Sequence, residues 1–473
     1  MEIINLSVSR DFKKNTAFLT LGTFINRGLQ FVTIPFFSRW LSTEEYGQFD
    51  LLVTYVSLLL PIITLSCHEG IFRMTVNEVD NSKINGFITS GLVIDIANYS
   101  VVSIVLYLVY GRKNSLILGS FLLYLLGEVA LIYLRGVLRG LKKLSVYSFA
   151  QLFSTIIMIV AVTILVLLCG WGLNGIIIGY AMGSALGAVL MALYAKCWKY
   201  IRISNVQPGM VKSMLYYSVP LIPNDLSWWI MNASDRQIIN FFYGNSANGI
   251  YAIAHKIPAI CSIIISTVSL SWQQEVTLNL EQKKQVDLNS YLNYIIRIAF
   301  SFSAVLVAGS FILYKFIFDI KYYDACRYSP ILIFSSSFMA ISLFLGGILV
   351  GYKRTKSNGF STIIGAVTNV VIHLLLISYI GLYAAAISTL VSSLIVCCIR
   401  IYSLRDIYKF RFDKRTVLYS CFVVYFIVST FVDGYMGFNV LNILIAILFF
   451  VFANRNLISS IASKFARMIK NDK

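Results

Sequence analysis

Charge is scarce in this chain. Asp, Glu, Lys and Arg make up 13% of its 473 residues, where ordinary soluble domains carry roughly a quarter. Together with 58% hydrophobic residues and a mean hydropathy of +0.77, this scarcity excludes a soluble core of this size. Enzyme signatures are lacking as well: the chain contains no Walker A sequence, GxGxxG fingerprint, HExxH or GxSxG, so it carries no nucleotide-hydrolysing engine of its own. No CxxC occurs, and the eight cysteines show no Cys/His ligand spacing. They are read as packing residues, with no metal and no cofactor expected. No early basic, apolar, small-residue pattern suggests a cleaved signal peptide, so the first apolar segment is expected to be a permanent helix.

What the chain does have is a ladder of apolar segments about 20 residues long, the length that crosses a hydrocarbon core of roughly 30 Å. The pattern predicts an all-α polytopic membrane protein. Fourteen spans are expected at 16–37, 48–66, 87–110, 115–134, 148–169, 174–195, 215–242, 250–272, 292–314, 328–350, 359–379, 382–400, 417–432 and 438–452, with 12 as the alternative. Lys and Arg divide the intervening loops unequally. One set, including both termini, holds 29 of the 39 basic residues and the opposite set holds 6. By the positive-inside rule both termini are expected in the cytoplasm. The net charge of +18 fits basic loops against an anionic membrane surface better than nucleic acid.

A weak internal repeat accompanies the ladder. "LSTEEYGQFDLL" aligns with "YGNSANGIYAIA", placing Gly47 on Gly249 at an offset of 202, and "CGWGLNGIIIGYAMG" with "SYIGLYAAAISTLVS", placing Gly172 on Gly381 at 209. Two six-helix lobes are therefore expected at 1–205 and 206–402, followed by two further helices and a basic tail at 403–473. Because six is even, the halves would share one membrane orientation, as in transporters that bind substrate between two repeats.

An ionisable group at a helix centre costs about 2.5 to 3.5 kcal/mol, so it normally faces a cavity or a partner. The charges left inside the ladder are Arg27, Asp50, Asp95, Glu128, Asp225, Asp235, Arg236, Lys256 and Arg297. Thr16, Thr20, Thr23, Arg27 and Gln30 share one face of the first helix. Lining of a cavity is favoured there over a structural ion pair. In the seventh helix Pro220 and Pro223 interrupt the start, and Asp225, Asn232 and Arg236 then fall within about 40° on a helical period, with Trp229 beside them. That helix is expected to line a central cavity, although snorkelling or a local pair accounts equally for Asp235 and Arg236. Lys256, just before Pro258, is either a point charge for phosphate or the counter-ion of a buried acid. Arg297 is expected to snorkel. Asp50 and Asp95 are candidate proton or cation sites, with cavity solvation and no transport role accounting for them equally, and His373 is expected to be a satisfied core histidine.

The segment Asn26 to Arg73, "NRGLQFVTIPFFSRWLSTEEYGQFDLLVTYVSLLLPIITLSCHEGIFR", resembles the first helical hairpin of polysaccharide flippases of the multidrug/oligosaccharidyl-lipid/polysaccharide exporter superfamily. "NASDRQIINFFYGNSANGIYAIAHKIPAI", Asn232 to Ile260, resembles the hairpin that opens their second half. The resemblance implies a flippase carrying an undecaprenyl-pyrophosphate-linked oligosaccharide to the outer leaflet of the bacterial cytoplasmic membrane by alternating access. It further implies contact with membrane lipids and, as partners, a polysaccharide polymerase and a chain-length regulator. The matching positions are Arg27, Glu69, Arg73, Asp235 and Lys256, with Glu69 and Arg73 as a gating or a surface pair. A drug/cation antiporter of the same superfamily is the alternative, and a membrane polymerase a lesser one, because no large outer loop is present.

Overall fold

The computed structural model describes residues 25–26, 28–29, 31–111, 115–261, 272, 288–352, 354–411, 413, 415–431, 436–455 and 459. Among these residues every regular element is helical. Nine of the helices are long and apolar enough to cross a membrane. The chain forms two compact units, residues 1–229 and 230–473.

The first unit holds α1 (31–40), α2 (Thr43–Thr64), α3 (Cys67–Thr75), α4 (Asn81–Tyr110), α5 (Ser115–Gly140), α6 (Leu144–Thr163), α7 (Gly172–Ala195), α8 (Pro208–Ser218) and the start of α9 (Ile222–Ala254). Ser42 ends α1 and starts α2 by a reciprocal cap. Its hydroxyl accepts from the Glu45 amide at 3.1 Å, and its own amide donates to the Glu45 carboxylate at 3.0 Å. Helix α2 ends at Leu65 and Ser66, both in the left-handed region with φ of 46° and 51°. The carbonyl of Ile63, freed at that end, accepts from Asn98 on α4 at 2.8 Å.

Helix α3 corrects the sequence reading, which placed a loop at 68–86. Cys67 and Ile71 are buried on one side while Arg73 faces out, so a single short helix satisfies both its apolar and its polar residues. Glycines 175, 179, 183 and 187 form a ridge along α7 that meets α6. A Cβ at Gly179 would lie 2.9 Å from the Val162 amide nitrogen, and one at Gly183 2.8 Å from the Ser154 carbonyl oxygen. Backbones approach this closely only where side chains are missing. Ser154 adds a hydrogen bond to the Gly183 carbonyl at 2.8 Å.

The second unit holds the rest of α9, then α10 (256–261), α11 (Leu288–Ile317), α12 (Ala325–Gly351), α13 (Thr355–Ile380), α14 (Tyr383–Leu404), α15 (Arg415–Phe431) and α16 (Met436–Ala453). Helices α15 and α16 both pack on α11. Serines stitch this unit where glycines stitch the first: Ser303 to Ser337 at 2.6 Å and Ser335 to Ser393 at 3.1 Å. At the end of α14 the chain buries Arg400, the last residue of the span expected at 382–400. Its guanidinium donates to Ser361, Thr362 and the Ser342 carbonyl at 2.6 to 3.1 Å, and only 1% of the residue is exposed. Nearby, Arg354 clasps Asp406 through two hydrogen bonds and holds that carboxyl below its ordinary pKa.

Both repeat registers reappear as backbone geometry. The breaks at Ser42 and at Gly244 stand 202 positions apart, and Gly244 (φ 77°, ψ −178°) occupies a region essentially reserved for glycine. Gly172 and Gly381, 209 apart, both have positive φ, 48° and 56°. Gly172 sits against Glu45, three residues past the first break, and Gly381 against Tyr243, one residue before the second.

Candidate functional site

In the second unit, charge is concentrated around Asp235. The residue lies on α9, 2% exposed. Arg236 reaches its carboxylate at 3.0 Å and also donates to the Asn232 carbonyl at 2.6 Å. The Nε2 of His255, in the turn between α9 and α10, lies 3.3 Å from the other carboxylate oxygen. Tyr251, one turn earlier, meets the His255 ring edge-on at 4.8 Å. His373 on α13 is fully buried within electrostatic range of Asp235, and neither of its ring nitrogens has a hydrogen-bond partner among the described residues. It is a core histidine, as expected, yet it is not a satisfied one. One turn before it, Asn369 donates to Thr389 on α14 at 3.3 Å.

The arrangement is a carboxylate already clasped by a guanidinium, flanked by two imidazoles, the side chain whose charge changes near neutral pH. Lys256 stands half buried in the first turn of α10, and Asn232 is exposed. Arg297 on α11 is half buried, with its guanidinium 5.2 Å from the Tyr294 ring centroid.

The first unit carries several separate polar groups. Asp225, near the start of α9 after the proline-containing 3₁₀ turn Val219–Leu221, accepts from the Ser66 hydroxyl at 2.9 Å. Trp229 donates its indole N–H to the Thr54 carbonyl at 2.9 Å and to Ser57 at 3.1 Å. Glu69 pairs with Arg139 of α5 rather than with Arg73, which is exposed; Arg139 also lies 4.1 Å over the Phe72 ring. The span of α5 was expected to stop at 134, and its extension to Gly140 delivers this unexpected partner.

Asp50 on α2 and Glu128 on α5 lie within electrostatic range of Tyr180 of α7, whose ring meets Tyr124 at 5.6 Å. Asp95 on α4 is 2% exposed, and neither carboxylate oxygen has a hydrogen-bond partner among the described residues. Arg27 and Gln30 lie outside the described residues. The run Asp225 to Arg236 is thus divided. Asp225 and Trp229 belong to the first unit, and Asn232, Asp235 and Arg236 to the second.

Sequence reasoning missed the imidazole pair around Asp235 and the tethering of Arg400. A signal existed for the first, since the chain has three histidines and two of them, His255 and His373, fall inside apolar spans.

Comparison with known proteins places this geometry in context. Residues 12–272 match the family described as polysaccharide biosynthesis protein, and residues 220–375 match the MatE family. A probable low-salt glycan biosynthesis flippase, Agl15 of Haloferax volcanii, is 22% identical over 86% of this chain and 86% of its own length. An uncharacterized membrane protein of Methanocaldococcus jannaschii is 22% identical over 84% of this chain and 98% of its own. Among solved structures, the lipid II flippase MurJ in an inward closed conformation superposes with a TM-score of 0.67. It has 16% identity over 93% of this chain and 99% of that one, a likeness of fold.

Proposed function

Because the chain belongs to the polysaccharide biosynthesis protein family, we propose that it is a flippase for lipid-linked glycans. The observation that carries this reading is the likeness, along most of both chains, to the probable low-salt glycan biosynthesis flippase Agl15. The helical fold shared with MurJ supports it, as does the absence of enzyme signatures in the sequence. On the finer reading the cargo is an undecaprenyl-pyrophosphate-linked oligosaccharide, moved from the cytoplasmic to the outer leaflet with both termini cytoplasmic. Arg27, Lys256 and Arg297 would attract the diphosphate, a polyanion that a cation in a low-dielectric site holds far better than one in water. Arg236 is already paired with Asp235, so its charge is largely compensated within the protein.

The test is transport itself. Purified protein in proteoliposomes is given a lipid-diphosphate oligosaccharide, and the fraction reaching the opposite leaflet is captured by a membrane-impermeant glycosidase. Wild-type protein should move it, and folded Arg27→Ala and Lys256→Ala variants should move it at least tenfold more slowly. Equal rates would remove these two residues from the proposal, and no transport by wild-type protein would remove the function.

The MatE match covers the Asp235 cluster and favours, as a second reading, an ion-coupled exporter of small cations. Efflux of a cationic dye driven by a proton gradient, with no lipid transport, would select it.

A further inference from the structure

The segment between α7 and α8 reads in sequence as a basic linker, and the structure docks it firmly against α4. The Arg202 amide donates to the Thr89 hydroxyl at 2.8 Å, and the Asn205 side chain to the Ser82 carbonyl at 3.3 Å. Gly86 makes room for it: a Cβ there would stand 2.6 Å from the Asn205 carbonyl oxygen and 2.7 Å from the Met210 sulfur. Helix α8 follows with a divided surface. Met210, Met214 and Ser218, spaced by four, turn inward, and Met214 and Ser218 are fully buried. Lys212 and Tyr216 turn outward, Tyr216 being 85% exposed.

That outer side is hollowed. Val206, Pro208, Val211, Lys212, Leu215 and Tyr216 line a shallow, open groove. Its walls are apolar and Lys212 is its one charged group. From 196 to 224 the chain has four basic residues, Lys196, Lys199, Arg202 and Lys212, and no acidic one. Trp198, Ile203 and Tyr216 all expose large apolar surface along the same segment.

We propose that this groove binds an anionic glycerophospholipid of the surrounding bilayer, with an acyl chain along Val206, Val211 and Leu215 and the headgroup phosphate on Lys212. The charge complementarity is one-sided, because no carboxylate in the segment opposes a phosphate. An apolar slot capped by an ammonium matches a molecule with an acyl chain at one end and a negative charge at the other. Exposed Trp and Tyr are the side chains that settle at the headgroup level, and each basic residue near a membrane surface strengthens attraction to anionic lipid about fivefold. A neutral lipid leaves Lys212 uncompensated, and an acidic peptide leaves the apolar slot empty. The site is independent of the cargo, so it stands whether or not the chain moves glycans.

The experiment is native mass spectrometry of the full-length protein in detergent, titrated separately with phosphatidylglycerol and phosphatidylcholine. Wild-type protein should retain phosphatidylglycerol preferentially. Lys212→Gln should weaken that binding about fivefold and Lys212→Glu roughly 25-fold, while Lys212→Arg keeps it. Val211→Trp, which fills the slot, should weaken both lipids. A circular-dichroism melt confirms that each variant folds. Equal phosphatidylglycerol binding by folded Lys212→Glu overturns the proposal, as does equal wild-type affinity for phosphatidylcholine. One-for-one displacement of phosphatidylglycerol by undecaprenyl diphosphate also overturns it, assigning the groove to a polyprenyl diphosphate.

Discussion

The glycine ridge of α7 makes a quantitative prediction about Gly179→Ala. The added Cβ would stand 2.4 Å from Val162 Cγ2, 2.9 Å from the Val162 nitrogen and 3.1 Å from its Cα. A rotamer change clears the first contact, but the other two are backbone, so α6 and α7 must separate. Forcing an extra carbon into a packed interface costs about 1 to 3 kcal/mol. Against this, alanine is favoured over glycine in a helix by about 1 kcal/mol. With two backbone contacts the cost lies in the upper half of that range, leaving a net loss of about 1 to 2 kcal/mol. Gly119 on α5 is the internal control, since it is exposed and a Cβ there meets nothing within 4 Å. Gly119→Ala collects the propensity gain alone.

For a unit the size of residues 1–229, each kcal/mol moves the melting temperature by about 2 to 4 °C. Thermal unfolding in one detergent, followed by monomer recovery on size exclusion, should place Gly179→Ala about 2 to 8 °C below wild type and Gly119→Ala at or above it. A Gly179→Ala protein that melts with or above wild type would refute the claim that backbone contact holds this helix pair.

Four further outcomes are expected. Asp235→Asn strands the Arg236 guanidinium in a buried site and should cost about 3 to 5 kcal/mol, most of it recovered in Asp235→Asn/Arg236→Met when both are melted side by side. Lys196→Gly, at the left-handed C-terminal cap of α7 (φ 54°), should stabilise by about 1 kcal/mol, read in the same melt, because glycine takes that conformation without strain. Gly346→Ala places a Cβ 2.8 Å from the Arg400 Nη1 and 3.0 Å from the Asn358 Oδ1; it should cost about 1 to 3 kcal/mol and lower expression of folded protein. Asp406 has its pKa lowered by Arg354, so its contribution is complete above the unfolded carboxylate value of about 3.9 and is lost as pH falls through the lower folded value. Asp406→Asn should therefore reduce the melting temperature at pH 7, with the difference from wild type shrinking as acidification protonates the folded-state carboxylate.

Much of the architecture was legible in the residues because a membrane span has a simple physical signature. Its length is fixed by bilayer thickness and its composition by the cost of charge in hydrocarbon. The ends of α12, α13 and α16 fall within about four residues of the apolar-run boundaries. Backbone breaks at Ser42 and Gly244 and positive φ at Gly172 and Gly381 fall at the offsets of the two repeat alignments. The candidate site was legible in part. Asp50, Asp95, Asp235 and Arg236 stood out as charges within apolar runs, and all four are buried.

Partners were another matter. Glu69 bonds Arg139 across 70 residues, and Ser66 bonds Asp225 across 159. Neither pair leaves a trace in local spacing, because a helix periodicity says which face a residue occupies and nothing about which helix meets that face. Arg400 illustrates the same limit from the other side. At a span end, snorkelling to water and burial among serines look identical in sequence, and the packing of α12, α13 and α14 decided for burial.

By itself, then, the sequence determined that the chain is helical and membrane-spanning, since hydropathy is a local property of the residues. Tertiary structure alone decided which buried charges are already paired, where α6 and α7 touch backbone to backbone, and that the basic linker is a docked element with a groove. Each of those depends on side chains brought together from distant parts of the chain.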